Sequence, residues 1–241
     1  MWYALKGSSF PKKARSQQLL FQMVSHKLAH MHFCGCDTLS SVIIANSVLI
    51  IGDSAFSGCK ELVSIVIPDG VITINNYTFF QCTSLKFVVI PTSVNTIGDG
   101  AFRECSTLTS IYLPDSIIHI GENAFSYCSA LQSVTIPKGV KHIQNWIFCG
   151  CISLTLLIFP TELTHIGSFV VGGCSVLLSI IVPSTILYIS STAFCGCDSL
   201  VVNMDFNQDA LIPHYLCKVS ERLLVGYSHH PMISNVSNIV V

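Results

Sequence analysis

Cys36, Cys59, Cys82, Cys105, Cys128, Cys151, Cys174 and Cys197 follow one another at a constant step of 23 residues. A leucine stands three residues after each of them, at Leu39, Leu62, Leu85, Leu108, Leu131, Leu154, Leu177 and Leu200. A period between about 20 and 50 residues marks a stacked repeat, in which each unit buries its apolar face only against its neighbours. The chain is therefore expected to wind into a solenoid. Such a fold offers an extended surface for binding rather than an enclosed pocket for chemistry.

The remaining apolar positions keep the same step. Three residues before each cysteine is an aromatic (Phe33, Phe56, Phe79, Phe102, Phe125, Phe148, Phe194), with Val171 as the exception. Eight before it is an isoleucine, from Ile51 to Ile189, and nine after it is a proline, from Pro68 to Pro183. Residues 97–120 show one coil. The alternation at Ile111, Tyr112 and Leu113 has the two-residue period of a strand, and Pro114, which lacks a donor, ends the pairing. A second short extended piece points Ile117 and Ile120 inward. The residue six before each cysteine (Asp53, Asn76, Asp99, Glu122, Asn145, Ser168, Ser191) suits an N-cap. This predicts a capped helical turn that buries Ala101, Phe102 and Cys105 on one face, puts Phe125 in the stack and leaves Ser126 on the outer turn.

Composition narrows the partners. The net charge is −1 and 10% of residues are charged, which argues against a nucleic-acid or anionic-membrane binder with its basic excess. The 51% hydrophobic content raises the question of a membrane span, but no apolar run reaches the roughly 18 residues that a spanning helix needs. Runs such as Leu156–Phe159 and Ile180–Val182 read instead as buried strands. Three regions result: a lead-in over 1–27, a solenoid over 28–206, and a variant or incomplete terminal repeat over 207–241. In the lead-in, Lys12, Lys13 and Arg15 precede the short apolar stretch Leu19–Val24 without a clear cleavage site, so a secretory signal is not the favoured reading.

The unit LxxIxLPxxIxxIGxxAFxxC resembles the leucine-rich repeats of the BspA-like type, over roughly residues 28–206. The resemblance implies a parallel β-sheet on the concave face, with short extended segments and capped helical turns on the other side. It also implies a surface antigen or adhesin that binds a protein partner, such as a host or extracellular-matrix protein like fibronectin. By this resemblance the chain is on the cell surface or secreted; by the lack of a clear signal peptide it is cytoplasmic. An intracellular scaffold and a non-functional truncated copy stay open as alternatives.

The periodic cysteines read as a buried column of free thiols, small hydrophobes in core slots. Cys34, Cys149 and Cys195, each two residues before a periodic cysteine, read as partly exposed spare thiols. Their coils lie too far apart to share a four-ligand metal. His119, His142 and His165 share one slot in consecutive coils, with Tyr188 next. They form either a pH-sensitive or metal-binding strip or a plain polar ladder, and Thr73 and Thr96 in the same slot favour the ladder. No GxSxG, P-loop or HExxH pattern occurs. No catalytic residue, metal site or cofactor is assigned, and the chain is not read as an enzyme. The best functional candidates are the outward strand positions five and seven after each cysteine. Val66, Phe87, Val89, Tyr112, Thr135, Leu156, Ile158 and Ile181 there form an apolar stripe edged with serine, the kind of patch that marks a partner surface.

Overall fold

The computed structural model describes residues 19–20 and 26–205. The charged and apolar stretch at Lys12–Val24, apart from Leu19 and Leu20, and the 207–241 segment lie outside the described residues. Within them the chain is a parallel β-solenoid with two columns of short strands. One column, the outward-facing stripe's own, holds Val42–Ile43, Ser64–Val66, Phe87–Val89, Ser133–Thr135, Leu156–Ile158, Ser179–Pro183 and Val201–Asp205. The other holds Lys27–Leu28, Ile50–Ile51, Thr73–Ile74, Thr96–Ile97, His119–Ile120, His142–Ile143, His165–Ile166 and Tyr188–Ile189. Pairing is parallel and advances one repeat per step, as in Val66 against Val89 and Ile97 against Ile120. Leu19–Leu20, in the expected lead-in, pairs with Val42–Ile43. These residues occupy the apolar strand slot one 23-residue step earlier, so the winding begins a coil sooner than the cysteine pattern suggests.

The core fills the space between the columns. The inward-facing strand residues, the leucine after each periodic cysteine, those cysteines and the phenylalanines three before them are buried in one continuous cluster. The phenylalanine rings stack on one another from Phe33 to Phe148, with centroids 5.2–5.7 Å apart and planes within 15° of parallel. Coils separated by about one strand spacing, ~4.8 Å, leave room for a flat ring lying on the next, which explains why this slot selects an aromatic.

The expected helical turn is replaced by something tighter. Each segment between the isoleucine and the cysteine is a run of successive turns, with a left-handed residue one before the cysteine and, in every coil but the one ending at Cys197, another five before it, such as Gln81 (φ 57°) and Tyr77 (φ 54°). L-residues in this conformation cannot propagate a right-handed helix. The benefit lies between coils. Ser54, Phe56 and Gly58 donate their N–H groups to the carbonyls of Asn76, Thr78 and Phe80 at 2.7–2.9 Å, while Ala55, Ser57 and Cys59 bond three residues back within their own coil. Alternate amides thus point at the neighbour, and buried backbone donors find partners without a helix.

The residues expected as N-caps act across coils as well. Asp53 Oδ1 accepts the N–H of Asn76, Asn76 Oδ1 that of Asp99, and Asp99 Oδ1 that of Glu122, at 2.8–3.1 Å. Asn145 Oδ1 accepts the N–H of Ser168 at 2.8 Å. A short acceptor was needed here, as the sequence indicated, but the donor it serves is 23 residues onward rather than in a helix of its own coil. Ser126 is fully buried, with its hydroxyl donating to the Asn123 carbonyl at 3.2 Å. It therefore does not lie on the outer turn, because the tight turns draw this slot inside.

The residue seven before the cysteine governs how closely coils approach. At Gly52, Gly98, Gly121 and Gly167 an added Cβ would sit within 3.0 Å of the preceding coil's backbone, and each of these amides bonds the preceding strand's carbonyl at 2.7–3.0 Å. Ser190 keeps that bond. Asn75 does not: its side-chain Nδ2 takes the Ile51 carbonyl instead, and pairing there shrinks to Ile51 against Ile74. At Gln144 the second column is interrupted, ending at Ile120 and resuming at His142.

Candidate partner-binding surface

The strand column of the stripe alternates one residue in, one residue out, as the pleat requires. Ile65, Val134, Leu157 and Ile180 are buried, and the residues on either side of them emerge. All eight stripe positions fall on the outside. Tyr112 is the most open, at 75% exposure, followed by Phe87 at 64% and Ile181 at 63%. Val66, Val89, Leu156 and Ile158 are exposed apolar groups beside them, and Thr135 is exposed between.

Register brings these residues into rows. Val66 lies opposite Val89, Ser64 opposite Phe87, Ser133 opposite Leu156 and Thr135 opposite Ile158. Around Tyr112 the strand itself is missing: the coil contributes only an isolated bridge, Ser110 to Ser133. Tyr112 thus stands on a stretch flanked by paired strands. Behind this surface the turns bond each coil to the next, while the strands of the column pair two at a time, with the isolated bridges Ser41 to Ser64 and Ser110 to Ser133 in addition.

The sequence reading passed over two further apolar sets. Leu178, one residue before the strand Ser179–Pro183, is exposed and extends the Leu156–Ile181 end of the stripe. On the second column, thirteen and fourteen residues after the cysteine, Leu49, Ile50, Ile72, Ile118, Leu187 and Tyr188 are also exposed. The signal was present. The inward slots of this segment are twelve and fifteen after the cysteine, as at Ile117 and Ile120, which leaves thirteen and fourteen outside.

The thiols are placed as expected. All eight periodic cysteines are buried and free, Cys34 and Cys149 are half-buried, and Cys195 is exposed. Each buried thiol from Cys59 to Cys197 also donates to the carbonyl of the aromatic slot one coil back, as from Cys105 to Phe79 at 3.2 Å and from Cys128 to Phe102 at 3.1 Å. That carbonyl already accepts the amide of its own coil's cysteine, so the thiol fills a second lone pair. A small apolar residue with a weak donor is what this slot requires. Burial pushes the Cys82 and Cys128 thiols up to about 12, which keeps them protonated and unreactive.

Among the described residues no group of three or more His, Cys, Asp or Glu side chains is arranged to hold a metal, and no helix is long and apolar enough to cross a membrane. The histidine column is tighter at one end than the other. His142 and His165 are paired in register with ring centroids 4.4 Å apart, and Tyr188 follows at 6.1 Å. His119 pairs with Thr96 instead, on the far side of the interruption.

The repeat and its fold are similar to those of known proteins. The family model for the BspA-type leucine-rich repeat region matches in six copies, over residues 8–131 and 72–201. The crystal structure of a leucine-rich repeat protein from T. pallidum is 36% identical, with a TM-score of 0.63, covering 66% of this chain and 77% of that one. A leucine-rich repeat protein from Bacteroides ovatus is 26% identical, with a TM-score of 0.54, covering 74% of this chain and 59% of its own length. No curated protein matches. With the family model spanning most of the described solenoid, the chain belongs to the BspA-type leucine-rich repeat family.

Proposed function

We propose that this chain is an adhesin-like scaffold that engages a host or matrix protein through the outward face of its first strand column. The repeat fold itself is of a kind typical of protein–protein interaction. The observation that carries the finer reading is the exposure of Phe87, Tyr112, Leu156 and Ile181 along one outward face, with Phe87, Leu156 and Ile181 on paired strands and Tyr112 on the stretch between them. A backing bonded from coil to coil means that little entropy is lost when these side chains dock, and aromatic groups in the middle of a patch tend to dominate binding energy.

The test is binding of the full chain to immobilised fibronectin, laminin and collagen. Saturable binding to one of them, lost when Phe87, Tyr112 and Leu156 are together replaced by serine, supports the reading. Binding that survives this triple change refutes it. A second reading, an intracellular scaffold using the same surface, draws on the exposed free thiol of Cys195, which oxidising compartments disfavour. Protease shaving of intact source cells separates the two: loss of the chain from the cells places it outside, and full protection places it within.

A further inference from the structure

The second column holds a pair of side chains that the proposed function does not use. His142 and His165 are exposed or half-buried, sit on directly paired strands and bring their rings to 4.4 Å at a 57° tilt. Parallel pairing fixes their backbones about 4.8 Å apart, and in the observed rotamers the two rings lie side by side.

A side-chain hydrogen bond orients His165. The Thr164 hydroxyl lies 2.8 Å from His165 Nδ1 and 3.0 Å from the Lys141 carbonyl, which also accepts the amides of Thr164 and His165. A metal on Nε2 would take the tautomer in which Nδ1 donates to that hydroxyl. A hydrogen bond on one ring nitrogen is how proteins orient a histidine whose other nitrogen ligates.

We propose that His142 and His165 form a two-imidazole clamp for a divalent first-row transition metal such as cobalt, nickel or zinc. Such metals take neutral imidazole nitrogens at about 2.0–2.1 Å. Adjacent coordination positions then lie about 3 Å apart at that bond length, a separation that facing rings reach by side-chain rotation. Water completes the coordination, in keeping with an open surface site. His119 is excluded, because its strand ends the sheet at Ile120 and pairs with Thr96. Tyr188, 6.1 Å from His165, bounds the clamp on the other side, and exposed Lys141 precedes His142.

The experiment uses the full chain, stripped with chelator and kept reduced, titrated with cobalt(II) against a metal indicator. Cobalt reports its ligands, since thiolate gives a charge-transfer band that imidazole does not. The expected result is saturable binding without that band. It should weaken about tenfold or more in His142→Ala and in His165→Ala, the scale on which even supporting groups around a metal act, and stay unchanged in His119→Ala. Binding should also fall with acidification, because a protonated imidazole has no lone pair to give. Unfolding curves of the variants should match the parent, which separates lost ligands from lost fold. The proposal is overturned if the His142→Ala/His165→Ala double variant binds as the parent does. It is equally overturned if a thiolate band shows the metal on Cys34, Cys149 or Cys195.

Discussion

The column of rings from Phe33 to Phe148 and the stripe from Val66 to Ile181 are laid down by the same 23-residue step, yet they differ in kind. Inside, every coil repeats its neighbour. The phenylalanine, the cysteine and the leucine must each fit a copy of themselves one strand away, and only shapes complementary to their own translation survive: a flat ring that stacks, or a thiol that reaches back to a carbonyl. Outside, no described residue packs on the strand face, and the same slot holds Ser64, Phe87, Ser110, Ser133 or Leu156. The interior is where the fold is specified. The exterior is free to vary without cost to the fold, which is why we place the proposed binding surface there.

The largest expected effect comes from removing one ring. Phe102 stacks on Phe79 and Phe125 at 5.3 and 5.4 Å, and Phe102→Ala should destabilise by about 3–5 kcal/mol, the usual loss for a buried phenylalanine. Denaturant titration reads this directly. Next is Gly121→Ala, whose Cβ would lie 2.6 Å from the Asp99 amide nitrogen and 2.7 Å from the Gly98 carbonyl carbon. Backbone cannot step aside as a side chain can, so an overpacking cost of about 1–3 kcal/mol is expected. Gln144→Ala, in the same slot where the second column's strand pairing is already interrupted, should cost far less by the same titration.

A smaller effect comes from the thiols. Cys128→Ala removes the donor to the Phe102 carbonyl, and a single hydrogen bond is worth about 0.5–1.5 kcal/mol net. The column also makes stability depend on alkali. Unfolded thiols ionise near their ordinary value of 9.0, whereas Cys82 and Cys128 are held up to about 12. A raised folded value means that this stability is fully present below about 9 and is lost as pH climbs from 9 towards 12. Unfolding midpoints measured across that range should fall, and should fall less in a Cys82→Ala/Cys128→Ala variant.

The period, the inward slots and the buried thiols were legible because the core repeats itself, and repetition is visible in a single sequence. The turn was not. A short acceptor such as Asp99 followed by Ala101 and Phe102 looks like the start of a helix, and local pattern does not reveal that the amide it serves belongs to Glu122 in the next coil. Ser126 was misplaced for the same reason: left-handed residues at Asn123 and Tyr127 turn it inward, and a polar residue gives no sign of this. Leu49, Ile72 and Leu187 each stand one residue before a strand of the second column, where an apolar residue gives no sign in the sequence that it faces outward.

The central claim is that the interior sets the fold while the outward stripe sets binding, and Tyr112→Ala tests it most directly. It should leave the unfolding midpoint within about 0.5 kcal/mol of the parent, as exposed positions usually do. It should also weaken binding to the matrix protein recognised by the parent chain by about 2 kcal/mol or more. Arg103→Ala, on the opposite turns, serves as the comparison and should change that binding little. If Arg103→Ala abolishes binding while Tyr112→Ala does not, the functional face lies on the other side of the solenoid and the account is contradicted.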